Sequence, residues 1–326
     1  MKTQIDTTTE VYVGGCSGSF APQAQRILPP GEDESDIIMR PVSRSVFGSH
    51  TTSIAVLIGK TGVIFDNGTG VAQAAEFLKA RGANAVYIFN THYHHDHIGG
   101  MVANPFLLFG ASIVKGIYGP QLGNADFASV LKTQYAEPYW PISPEKCKIT
   151  LPLFSFIPGE TIPILGGLKT LMLNHAGGCA AYRLKTPAGD IVIATDNELS
   201  TPEIQRQCAD FFAGAKLVYI DVQYRNDEYD GKTVIGPGNT ITSRRTWGHS
   251  TPQMVIQTYE QIVTAPELTL VGHHDPRRSD EDLFTFEKEM KERLRHLGTK
   301  VRFARECMLI KLKKTVVKRQ RAFAVV

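Results

Sequence analysis

Apolar residues in this chain come in short unbroken runs: SIAVLI at 53–58, GVIFD at 62–66, AVYIF at 85–89, KTLML at 169–173, DIVIAT at 190–195, KLVYID at 216–221 and LTLVG at 268–272. Runs of this length, bounded by turn residues, predict buried strands rather than helices. Helical spacing lies between some of them. One pattern covers 71–80 and ends at Arg81-Gly82, where glycine suits a C-terminal cap. A second starts at Ser250-Thr251-Pro252, with Thr251 as N-cap and Pro252 at the first helical position. A third runs over 280–297, with Leu283, Phe286, Met290, Leu294 and Leu297 at three- and four-residue steps, and stops at Gly298. Strands interleaved with helices predict an α/β layered architecture, with residues 1–326 as a single domain. Two segments, 21–46 and 225–246, lack clear periodicity and read as functional lids or disordered loops, and substrate choice is expected to depend on them and on a loop at 101–145.

Composition narrows the class. With 42% hydrophobic and 21% charged residues, the chain has ample material for a core and the profile of a soluble globular protein. A formal charge of +3 identifies no partner. The one dense basic run, KLKKTVVKRQR from Lys311 to Arg321, reads as a solvated last strand and tail. Five scattered cysteines without a CxxC pair argue against a disulfide framework and for a reducing compartment. The first residues lack the pattern of a signal peptide, and no apolar run is long enough to span a bilayer. A cytoplasmic protein without membrane contact is expected.

The chemistry concentrates in THYHHDHIGG at 91–100. This stretch leaves the strand AVYIF in extended form, so His92 and His94 face one side together. A turn toward a helix then aims Asp96 and His97 at a second nearby point. Two adjacent half-sites of this kind suit a pair of metal ions, but two ligands complete neither, since zinc takes about four. Further candidates follow other apolar runs: His175 in LNHAGG, Asp196 in IATDNE, and the pair His273-His274 in VGHHDP. Open α/β sheets gather ligands at the carboxyl ends of their strands. Of the HHDP pair, either histidine remains a candidate on this ground.

GGCSGS, SHTTS, FDNGTG, THYHHDH, NHAGG, ATDNE, IDVQY, GHST and HHDP together resemble the metallo-β-lactamase-fold superfamily, and within it the ribonuclease Z and phosphodiesterase-like hydrolases. The resemblance implies an αββα sandwich of two mixed sheets flanked by helices. It also implies that His92, His94 and His175 bind one metal, that Asp96, His97 and His273 bind the other, and that Asp196 bridges them. His273 matches the liganding position better than His274. Two divalent ions per chain are implied, with zinc expected and manganese or iron compatible with the donors. His249 in WGHST matches a histidine that contacts the scissile phosphate, and Asp221 in YIDVQY matches the carboxylate that orients it. Asp96, His249 and Asp221 thus form the implied catalytic group. Tyr93 and His95 match no ligand position and are expected as exposed filler. Asp66 in FDNGTG is expected to brace the histidine loop by hydrogen bonds. His50 stands where relatives carry asparagine.

A two-metal centre of this type would activate a hydroxide against an anionic ester, and a phosphodiester is the matching substrate. A small, cyclic nucleotide is the favoured substrate class. RNA 3′-end cleavage of the ribonuclease Z type is the alternative, disfavoured because no Gly-rich basic arm is visible. The GHST element and Asp221 argue against an ester or lactone hydrolase on the same fold. Flavodiiron-type redox chemistry lacks the glutamate that relatives carry where His94 stands. A non-catalytic scaffold is disfavoured because all seven ligand positions are filled. Arg244 and Arg245, just upstream of His249, are candidates for gripping a phosphate. Relatives of this branch often form homodimers, which makes a dimer possible here.

Overall fold

The computed structural model describes residues 9–19, 45–108, 111–144, 146–147, 149–235 and 241–313. Its first half lays down strands β1 (Thr9–Gly15), β2 (Ser53–Ile58), β3 (Thr61–Phe65), β4 (Ala85–Phe89), β5 (Val114–Pro120) and β6 (Leu153–Phe156). Helices α1 (Val71–Ala80), α2 (His95–Ile98), α3 (Pro105–Leu108) and α4 (Phe127–Gln134) connect them. The second half holds β7 (Thr161–Ile162), β8 (Leu168–Leu173), β9 (Cys179–Leu184), β10 (Ile191–Ala194), β11 (Leu217–Asp221), β12 (Leu268–Gly272) and β13 (Lys300–Phe303). Its helices are α5 (Pro202–Phe212), α6 (Asn226–Tyr229), α7 (Pro252–Tyr259) and α8 (Asp280–Leu294). The last described strand, β14 (Leu309–Leu312), returns to pair with β1.

Two mixed sheets result, ordered β14-β1-β2-β3-β4-β5-β6 and β13-β12-β11-β10-β9-β8-β7. The unbroken apolar runs are explained by burial on both faces. In β2, Ile54 and Val56 enter the core between the sheets, while Ala55 and Leu57 face α1. In β11, Leu217 and Tyr219 take the inner face, and Val218 and Ile220 pack toward α5, α7 and α8. Three apolar layers therefore separate helix, sheet, sheet and helix, as an αββα sandwich requires. Among the described residues no helix is long and apolar enough to cross a membrane.

The expected helix boundaries agree closely with those observed. Helix α1 ends with Arg81 as its cap before the left-handed Gly82. Thr251 caps α7 through its side chain, with Pro252 in the first turn. Helix α8 continues as a short 3-10 turn to Leu297 and stops at left-handed Gly298. Segment 101–145 is a correction. It contains β5, which sits inside the first sheet between β4 and β6, together with α3 and α4. Two glycines and a proline in VKGIYGP hide that strand from propensity, and pairing on both edges overrides it. Of the other expected loops, 21–46 lies outside the described residues except at its end, and 225–246 includes α6 and the undescribed 236–240. The basic run lies outside them from residue 314 onward.

Strand direction positions the site. Strands β10, β11 and β12 are mutually parallel, and β8 runs with them because it is antiparallel to β9, itself antiparallel to β10. Their carboxyl ends share one edge. In the first sheet β3 and β4 are parallel and end together, at Asp66 and at the Asn90-Thr91-His92 turn.

Candidate metal centre

All seven predicted ligands meet at this edge. His92, His94 and His175 lie within mutual ligand reach, and so do Asp96, His97, Asp196 and His273. Asp196 joins the two groups. Its Oδ1 lies 3.3 Å from His97 Nε2, and its Oδ2 lies 3.2 Å from His273 Nε2, 3.6 Å from His175 Nε2 and 3.7 Å from His92 Nε2. Asp96 Oδ2 accepts from His273 Nε2 at 3.0 Å and from the Ser19 amide at 2.7 Å. His94 Nδ1 is 3.0 Å from His175 Nε2.

The HxHxDH element works as its spacing suggests. His94 is the extended N-cap of α2, and Asp96 and His97 lie within that single turn. Three site residues at strand ends, Asp66, Asp196 and His273, adopt left-handed backbone with φ of 64°, 55° and 53°. Such conformations cost energy, are best tolerated by Asp, Asn and His among non-glycine residues, and cluster at functional sites. Here they turn each side chain off its strand and into the cleft.

Hydrogen bonds choose which nitrogen each imidazole offers. Asp66 Oδ2 takes His97 Nδ1 at 2.8 Å, and a carboxylate only accepts, so that nitrogen carries the proton. Asp66 also accepts from the Thr91 amide and hydroxyl, at 2.6 and 2.9 Å. The Thr91 oxygen is then free to accept from His92 Nδ1 at 3.0 Å. The Gly248 carbonyl accepts from His175 Nδ1, also at 3.0 Å. All three rings thereby turn Nε2 toward the cluster. Asp66 braces the loop as expected, aided by side-chain bonds linking Asn67 to Asn90 and to Asn104. Gly68 permits this close packing, because a Cβ there would meet the Asp96 carbonyl oxygen at 2.3 Å.

The donor set fits divalent metal. His92 Nε2 and His97 Nε2 are buried without a hydrogen-bond partner, although both point into the cluster. Orphaned buried polar atoms of this kind are costly and call for a ligand. The electrostatics agree. Burial by itself would lower the His97 pKa, yet the surrounding Asp196, Asp96 and Asp66 hold it well above the ordinary value. Burial by itself would raise that of Asp196, yet His273 and His97 hold it well below. Two buried carboxylates converging on shared histidines make a place that demands positive charge.

The HHDP pair is resolved. His273 enters the cluster, whereas His274 bonds the Ala304 carbonyl through Nε2 at 2.9 Å and stacks on Phe303. Burial lowers the His274 pKa to about 4, in keeping with a neutral packing role. His273→Gln is accordingly expected to lower metal content. His274→Gln is expected to leave metal content unchanged and to lower the melting temperature. Atomic absorption and thermal unfolding of the two variants check this, and loss of metal from His274→Gln alone would reverse the assignment.

His249 lies over the cluster, its ring stacked on His273 with centroids 4.9 Å apart and edge-on to His175 at 5.2 Å. Its Nδ1 donates to Asp221 Oδ2 at 2.9 Å, and Asp221 Oδ1 accepts from the Asn197 amide at 3.1 Å. The predicted pair is therefore assembled. Two expectations need correction. Arg244 is buried, donating to the Glu228 and Thr242 carbonyls and lying against Tyr224 and Trp247, while Arg245 pairs with Asp230. Tyr93 is not filler: it stacks near Phe127 and donates to the Pro120 carbonyl, whereas His95 is exposed as expected. His50 engages Glu306 and Gln73, tying its turn to the approach to β14. Sequence reasoning also overlooked Glu198, Thr91 and Gly248, whose partners lie far along the chain.

A sequence model of the metallo-beta-lactamase superfamily matches residues 46–249. No curated protein matches the chain in the corresponding search. Among solved structures, Zn(2+)-bound PqqB from Methylobacterium extorquens is 11% identical at a TM-score of 0.60, covering 93% of this chain and 100% of its own. Yeast PDE1 is 13% identical at 0.59, covering 94% and 100%. A diphosphatase of the PhnP family is 17% identical at 0.57, covering 94% and 98%. At such identities the likeness establishes the fold alone.

Proposed function

The chain belongs to the metallo-β-lactamase superfamily, and from that premise we propose that this metal-dependent hydrolase cleaves a phosphodiester bond in a small, cyclic nucleotide. The observation carrying this reading is the His249–Asp221 pair set beside the donor cluster. In this reading His92, His94 and His175 hold one divalent cation, Asp96, His97 and His273 hold a second, and Asp196 contributes to both. Zinc is the expected metal, and manganese or iron would suit the same donors. Bound there, the cations would supply a water that ionises near neutral pH and positive charge to offset an anionic ester.

The chain's own residues do the rest. With Nδ1 committed to Asp221, His249 keeps Nε2 for the substrate. A proton held on that nitrogen passes to the departing alkoxide oxygen, which otherwise leaves as an unfavourable anion. Asp221 fixes the ring orientation. Helix α7 begins three residues later, and its N-terminus adds partial positive charge on the side where a phosphate would lie. One structural relative is described as a diphosphatase, a chemistry in keeping with this reading.

The test is a substrate panel with the zinc- or manganese-loaded chain: bis-p-nitrophenyl phosphate, cyclic mononucleotides, cyclic dinucleotides, precursor tRNA, p-nitrophenyl acetate and a lactone. Cleavage of the diester and of a cyclic nucleotide is expected. Turnover confined to precursor tRNA would favour the RNA 3′-end alternative. Turnover of the uncharged esters with the diesters left intact would overturn the proposal.

A further inference from the structure

Glu198 is buried, 3% exposed, and stands two residues past Asp196. Among the described residues it makes no ion pair. Its carboxylate is instead spent on one turn: Oε1 accepts from the Thr246 amide at 3.0 Å and from the Tyr229 hydroxyl, and Oε2 accepts from the Gly248 amide at 2.8 Å. That turn is strained. Thr246 has φ of 69°, which a β-branched residue seldom adopts, and Gly248 has φ of 87°. A Cβ at Gly248 would lie 2.1 Å from His175 Nδ1, so only glycine brings the carbonyl close enough to bond that ring. The backbone of Glu198 holds Asn174, the residue before His175. Its amide donates to the Asn174 carbonyl at 2.8 Å, and its carbonyl accepts from Asn174 Nδ2 at 2.8 Å.

We infer that Glu198 is a positioning residue that locks His175 and His249 into one geometry through the 246–248 turn. Its carboxylate holds the strained turn closed. The closed turn presents the Gly248 carbonyl, which keeps the proton of His175 on Nδ1 and leaves Nε2 bare for a metal. The same turn delivers His249 as the next residue, aligned for Asp221. A buried carboxylate bonded to backbone amides on both sides of Trp247 leaves the turn little freedom to open. One side chain thereby couples one half of the metal centre to the proton donor, while Asp96, His97 and His273 are anchored elsewhere.

The inference rests on the metal-centre reading, and its test separates the two. Glu198→Gln keeps the volume but replaces one acceptor oxygen with an amide donor, so the two turn amides can no longer both be held. In titrations with zinc against a chromophoric chelator, this variant is expected to bind one of two zinc ions about 10–100-fold less tightly, the usual cost of losing an outer partner of a ligand. The other zinc should be unaffected. In the metal-free protein, the ¹⁵N shifts of the His175 imidazole should change from one Nδ1-protonated tautomer to a mixture. With substrate, kcat should fall while KM holds. Glu198→Asp retains the charge but is a methylene short, and is expected to show the same selective loss. Tyr229→Phe removes a donor outside the turn while both turn amides stay held, and should move these readouts far less than Glu198→Gln. Equal weakening of both zinc ions, an unchanged His175 tautomer, or equal effects from Tyr229→Phe would overturn the inference. Failure of the parent chain to bind zinc would refute the metal-centre reading, leaving the tautomer measurement to decide on the clamp.

Discussion

Asp196→Asn is expected to lower zinc content well below that of the parent chain and to depress diester hydrolysis by more than the roughly 10–100-fold that follows loss of an outer hydrogen-bond partner. Among the described residues, Asp196 is the one whose carboxylate lies near His97 and His273 on one side and His92 and His175 on the other. Removing its charge therefore damages both halves of the donor set. Asparagine tolerates the left-handed backbone at this position and retains an oxygen for the Thr195 hydroxyl, so the fold should survive. What remains is a group of histidines with Asp96 as the one carboxylate inside the cluster and Asp66 behind His97. Metal analysis beside circular dichroism distinguishes a disarmed site from an unfolded chain. Full metal content with an unchanged rate would remove Asp196 from the centre.

His249→Ala is expected to keep the metal and lose turnover, by roughly 10²–10⁴-fold, the range that a positioned acid contributes. Its Nδ1 is held by Asp221, and its ring rests on His273 without sharing the carboxylate contacts of the ligands. Asp221→Asn should act in the same direction but less strongly, since the ring keeps its packing on His273 and Tyr224 and loses mainly its orientation. A substrate with a good leaving group, such as a nitrophenyl diester, needs less help from an acid and should show the smaller deficit. The rival outcome is specific. His249 also lies within ligand reach of His175 and Asp196, so metal loss in His249→Ala would make it a ligand rather than an acid. Unchanged metal and unchanged turnover would leave it a packing residue.

The strand core and much of the centre could be read from the chain because their signals are local. An apolar run such as SIAVLI needs only its own residues to announce burial on both faces, and Thr251-Pro252 announces a helix start without knowledge of anything distant. Strands β1, β5, β6, β7, β9, β13 and β14 were less legible. CAAYRL and VKGIYGP mix small, charged and turn-forming residues, and they become strands through the neighbours they pair with. Helix α5, with a largely polar sequence and a short buried stripe of Cys208, Ala209 and Phe212, shows the same dependence on its packing partner.

Four of the candidate donors were written into residue type and spacing: HxHxDH puts them within one strand exit and one helical turn, and covalent geometry allows them few other arrangements. The choice of His273 over His274 was not. It follows from a left-handed backbone at His273 that sends consecutive side chains opposite ways, one into the cleft and one against Phe303. Nor could spacing foretell that Arg244 turns inward, or that Glu198 reaches across to the 246–248 turn. These outcomes depend on sheet register and on strained turns. Neither exists until distant segments pack, because it is their combined contacts that offset the cost of holding such conformations.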